Sequence, residues 1–160
     1  MSKLLSKKVR KDKDKDSVFK LLKDSEYGFF QKHSDVYIFA ASVAVAKHKN
    51  RLPIKSPDAS PIAMTIFNEE NHSFIDLLAL YDDPDNLNIV SHTNDIQIES
   101  KIQCFEEYAN AGLQYLKEEL TGREADSYEI LKECIIDVLE IKNNEQLDSS
   151  LSLEDLLKPQ

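Results

Sequence analysis

The sequence predicts an all-α protein, a compact orthogonal bundle of five or six helices with a mobile basic amino-terminal arm. Three observations carry this expectation. Leu, Lys, Glu, Ile and Ala together supply 73 of the 160 residues, while there are only three Gly and five Pro, a balance that favours helices over a turn-rich sandwich. Ile98, Ile102, Phe105, Ala109, Gly112 and Leu116 recur at alternating spacings of four and three, the period of a helix seam. The length suits one domain, whose core needs neither metal nor disulfide. The expected divisions are a flexible Lys/Asp arm over 1–15, a helical domain over 16–142, and a polar linker with a short amphipathic tail over 143–160.

Each element follows from local chemistry. Residues 1–15 hold many lysines alternating with aspartates, too little apolar surface to order alone. Asp16 or Ser17 caps a short helix to Lys23 with Val18, Leu21 and Leu22 on one side. Tyr27-Gly28-Phe29-Phe30 reads as a turn with aromatic anchors. Ser34 or Asp35 caps the next helix, Val36 to about His48, whose centre is apolar nearly all round and belongs mid-bundle. The prolines of 52–61 mark a loop. Residues 62–67 stay open between a short helix and an extended segment, because a short apolar run has no diagnostic period; pairing as a strand would make the fold α+β. Asn71 caps a helix from His72 to Tyr81 that buries Phe74, Leu77, Leu78 and Tyr81. Asp95–Leu120 is the longest element, about 39 Å, with Gly122 as its terminator. Asp126 or Ser127 caps a last helix carrying Leu131, Cys134, Ile135, Val138 and Leu139.

Charge bounds the function. The net charge is −9, yet residues 1–23 carry nine Lys/Arg against three Asp. The acidic remainder excludes a broad nucleic-acid face. Lys3, Lys7, Lys8, Arg10 and Lys11 have two readings, a solubilising arm or a tether that touches DNA phosphate within a complex. Cys104 and Cys134 lie apart without a CxxC motif and read as core residues. With no secretory signal and no bilayer-length apolar run, a reduced cytoplasm and no membrane are expected.

No catalytic constellation is found. The four histidines lack ligand spacing, so no metal is expected. Asp82, Asp83 and Asp85 lack the central Gly and final Glu of a calcium loop. Glu106 and Glu107 point about 100° apart on a helix and read as a solvated face or interface charge. Neither a P-loop nor a dinucleotide fingerprint occurs, and no cofactor is expected. The small residues Ala109, Ala111 and Gly112 imply instead that a backbone or partner approaches closely, because a helical Gly costs about 1 kcal/mol relative to Ala. Phe105, Tyr108, Ala109 and Gly112 are therefore expected to bind a partner. So are Leu153, Leu156 and Leu157 of the tail, which either docks in a partner groove or folds back on its own bundle.

Residues 34–41, 74–80 and above all Phe105-Glu106-Glu107-Tyr108-Ala109-Asn110-Ala111-Gly112-Leu113 resemble the bacterial family of DNA phosphorothioation-associated protein 4, over roughly 15–120. The resemblance implies a small accessory protein of a prokaryotic defence cluster, companion to SMC-like or helicase-like ATPases, with no catalytic residues. The expected function is a non-enzymatic subunit of a DNA-targeting complex, held to a larger ATPase or nuclease subunit. The alternative is a small regulator or antitoxin-like binder of a basic partner.

Overall fold

The computed structural model describes residues 2–137. Helices α1 (Asp16–Lys23), α2 (His33–Ala46), α3 (Glu69–Asp82), α4 (Asp95–Leu120) and α5 (127–137) make the fold mostly helical. A single short antiparallel pair joins β1 (Lys8–Val9) to β2 (Ile62–Ala63) among the described residues, with Lys8 opposite Ala63 and Val9 opposite Ile62.

Helix α4 is the axis on which α1, α2 and α3 pack. Asn94 starts it, its side chain accepting from the amides of Ile96 and Gln97, which satisfies two otherwise orphaned donors. It stops at Gly122, whose φ of 77° lies in the left-handed region that glycine enters without steric cost. The expected seam is buried throughout, from Ile98 to Leu116. Helix α2, apolar on all sides, lies along α4 and buries Val36, Tyr37, Ala40, Ala41 and Ala44. It closes with His48 at φ 51° and a bond from the Lys49 amide back to the Ala44 carbonyl at 2.8 Å, a left-handed terminus. Tyr37, Phe67 and Phe105 meet at the centre; the Phe67 and Phe105 rings stand edge to face with centroids 5.8 Å apart, a favoured aromatic geometry.

Three expectations are corrected and one left open is resolved. The first concerns the arm. Leu4 and Val9 are buried, and residues 3–15 form two 3-10 turns around β1, folded onto α4. Its charge pattern reads as solvated, but Lys3, Lys7 and Arg10 meet carboxylates of α4 more than ninety residues away. Residues 62–67 prove to be two things in succession, the strand β2 and a 3-10 turn, Met64–Ile66. Helix α3 begins at Glu69, not His72. Asn68 and Asn71 bond each other's backbone amides, a reciprocal capping box in which Asn71 is the inner partner. Its buried face is Ile75, Leu78 and Ala79, while Leu77 and Tyr81 point outward. In α5, Ile130, Leu131 and Cys134 face the core and Ile135 is exposed; Val138 and Leu139 lie outside the described residues. No helix among the described residues is long and apolar enough to cross a membrane.

Candidate functional site

The middle of α4 buries Lys101, Glu106, Glu107 and Asn110, polar side chains on a helix whose other inward positions are apolar. Buried charges are tolerated only when paired and hydrogen-bonded, and each of these finds its partner on a different segment. Lys101 donates to Asp76 Oδ1 of α3 at 2.6 Å and to the Val90 carbonyl at 3.3 Å. The other oxygen of Asp76 is 2.8 Å from His92 Nε2. Glu106 receives the Arg10 amide at 2.7 Å and its guanidinium at 3.0 and 2.8 Å. Asn110 donates to Asp12 Oδ2 at 3.0 Å and to the Leu52 carbonyl at 3.2 Å.

Glu107 anchors the most elaborate arrangement. Arg51 donates to Glu107 at 2.8 Å and to Asp82 at 2.6 Å, and the Tyr108 hydroxyl donates to the other Asp82 oxygen at 2.9 Å. Cys104 lies beside them, and burial pushes its thiol up to about 12 with Asp82 adding to the effect. Burial, reinforced by the bond to Asp82, also pushes the Tyr108 phenol well above its ordinary value. Both therefore stay protonated at neutral pH, the poorly nucleophilic form of each. These groups bind one another, and the cluster joins the α2–α3 loop, the end of α3 and α4.

Glu106 and Glu107 diverge as their adjacent positions require, but neither is solvated: both are buried, each against its own arginine. The expected partner face of Phe105, Tyr108, Ala109 and Gly112 also lies in the interior. The backbone that approaches is Ala40 of the same chain. A Cβ at Gly112 would overlap the Ala40 carbonyl oxygen and stand 2.5 Å from its carbon. Leu153, Leu156 and Leu157 lie outside the described residues.

The arm cations are similarly engaged. Lys3 bonds Asp95 at 2.7 Å and Lys7 bonds Glu99 at 2.8 Å. Lys11 is buried between Asp16 and Asp58, and its bond is the first cause holding the Asp58 carboxyl below the usual range, ahead of the Ser60 amide. Lys8 has no carboxylate partner among the described residues. Of these arrangements the sequence held one readable signal, the apolar Leu4 and Val9 spaced through a charged arm.

On the surface, an apolar groove of about 350 Å³ opens between the turn after α1, α2 and α5. Phe29, Phe30 and Phe39 form one wall and Tyr128, Ile135 and Ile136 the other. The Phe29 and Tyr128 rings face each other at 5.8 Å between centroids, and Phe29, Tyr128, Ile135 and Ile136 are all exposed. The expected aromatic turn is thus present with Phe29 facing outward. No group of three or more metal-binding side chains occurs among the described residues.

A sequence model of the family described as DNA sulphur modification system-associated protein 4 matches residues 8–153. Neither a curated protein nor a solved structure matches the chain.

Proposed function

The chain belongs to the family of DNA sulphur modification system-associated protein 4, and on that premise we propose that it is a non-enzymatic accessory subunit of a DNA-targeting defence assembly. It acts by protein–protein contact with a larger ATPase or nuclease subunit in the cytoplasm. The observation that carries this reading is the apolar groove between Phe29, Phe39 and Ile135. Contiguous exposed apolar surface of this kind marks interaction sites, whereas the buried ionic groups of α4 are taken up in mutual bonds.

DNA contact belongs to the partner in this reading. Four of the five arm cations already neutralise carboxylates of the same chain, which leaves few of them free to neutralise phosphate and release the counterions condensed on DNA. The test is purification of the tagged chain from its native host, with mass spectrometry of what accompanies it. A larger ATPase or nuclease subunit should co-purify, and Phe29→Ser with Ile135→Asp should lose it. A lone monomer would overturn the reading. A small stoichiometric complex without either subunit would favour the antitoxin-like regulator instead.

A further inference from the structure

Lys55 and Lys101 bound a run of 45 residues that contains no Lys or Arg and nine Asp or Glu. Five of the nine are met by cations from elsewhere in the chain: Asp58 by Lys11, Asp76 by Lys101, Asp82 by Arg51, Asp95 by Lys3 and Glu99 by Lys7. Glu69, Glu70, Asp83 and Asp85 have no cationic partner among the described residues, and all four are exposed. They stand at the two ends of α3. Asp83 caps its carboxyl end, where the last turn holds no basic residue, so its charge opposes the helix dipole.

Between these acidic ends the outer face of α3 is apolar. Leu77 and Tyr81 are 65% and 60% exposed, and their spacing of four places them one turn apart on the same side. Glu70 and Ser73 continue that face toward the helix start. The line from Glu70 to Asp83 is about 20 Å long, the footprint of a short helix laid alongside.

We propose that the outer face of α3 docks a basic amphipathic segment of the larger subunit. Its apolar side chains seat on Leu77 and Tyr81, and its Lys or Arg residues meet Glu70 at one end and Asp83 and Asp85 at the other. The assignment rests on the accessory-subunit reading and names the chemistry of its partner. Nucleic acid is disfavoured as the occupant because these carboxylates repel phosphate. A second copy is disfavoured because antiparallel α3 helices would set Glu70 against Asp85, and like charges across an interface are costly.

The test places a photo-crosslinking benzoylphenylalanine at Tyr81 in the tagged full-length chain, expressed in its native host. A parallel probe at Tyr128 reports on the groove. The Tyr81 probe should capture a peptide of the larger subunit with net positive charge. Its yield should fall at least tenfold when Glu70, Asp83 and Asp85 are changed to Lys, with circular dichroism showing the exposed-site variant folded. An acidic peptide, a peptide of this chain, a nucleic-acid adduct or no adduct would overturn the proposal. If Tyr81 stays silent while Tyr128 captures the larger subunit, the α3 assignment falls and the accessory reading stands. If both are silent and the chain is a monomer, both fall.

Discussion

Gly112 and Ala40 touch backbone to backbone: a methyl group on the glycine would occupy the space of the Ala40 carbonyl. This contact sets how closely α2 lies on α4, and it explains why a helix-weakening residue sits at the middle of the longest helix.

Gly112→Ala is therefore expected to destabilise the protein even though alanine is the better helix former by about 1 kcal/mol. Overpacking costs about 1–3 kcal/mol, and here the obstacle is backbone, which cannot rotate aside. The cost therefore sits at the top of that range, and the expected net loss is about 2 kcal/mol for Ala and more for Leu, read from urea midpoints. An unchanged midpoint for Gly112→Ala would refute the close-contact role.

The Lys101 side chain is fully buried. Asp76→Asn would leave its ammonium buried and uncompensated, a change that costs about 3–5 kcal/mol. Asp76→Asn combined with Lys101→Met removes both charges and should recover most of that loss. A double-mutant cycle by urea denaturation tests this, and additive losses would contradict the coupling.

The carboxylates that fasten the amino-terminal segment are acid-labile anchors. Hydrogen bonds from lysines hold Asp14, Asp16, Asp58 and Asp95 below the ordinary carboxylate value. A depressed folded-state value means their contribution is fully present above the unfolded value, about pH 3.9, and is lost as pH falls through the lower folded values. Stability should therefore decline below about pH 4, and Lys11→Met should flatten chiefly the part of that decline due to Asp58, because Lys20 still holds Asp16 down. Amide resonances of residues 3–15 should shift in the same window. A decline in the variant as steep as in the parent would remove Lys11 from the account.

Both thiols should be inert in the folded protein. Cys104 and Cys134 are buried, and burial raises both thiols, so the reactive thiolate is scarce at pH 8. Ellman's reagent should register almost no thiol in the native state and both in denaturant. Rapid native labelling of Cys104 would show that the Arg51–Asp82–Glu107 cluster opens.

What the sequence made legible were features written in local period. Helix α4 spans Asp95–Leu120 as its apolar seam and its Gly122 terminator predict, because 26 residues of consistent spacing average out accidents. Helix α3 defeated the same approach. Phe74, Ile75, Leu77, Leu78, Ala79, Leu80 and Tyr81 surround the axis, so no period singles out the buried side, and the side packed on α4, where Phe74 meets Phe105, is settled only by tertiary contact. The arm failed for a related reason. Lysine and aspartate in alternation read locally as solvent-loving, yet Arg10 is matched to Glu106 and Asp12 to Asn110. Complementarity between distant polar groups leaves no periodic trace. The groove was half legible: its aromatic turn could be read, but its opposite wall on α5 could not.

The bond between Asp12 and Asn110 spans 98 positions, and it has a consequence for how the chain is made. At about 5–20 residues per second, the first residues to leave the ribosome wait about 5–20 s before their partners on α4 exist. For about the first half of that interval, until residues 58–63 are made, β1 is an unpaired edge and Lys11 has Asp16 but not Asp58. The segment synthesised first thus waits longest for the last of its partners. An extension fused ahead of Ser2, whose hydroxyl bonds the His92 carbonyl, would emerge beside the α3–α4 junction and should slow refolding more than the same extension carried behind residue 160.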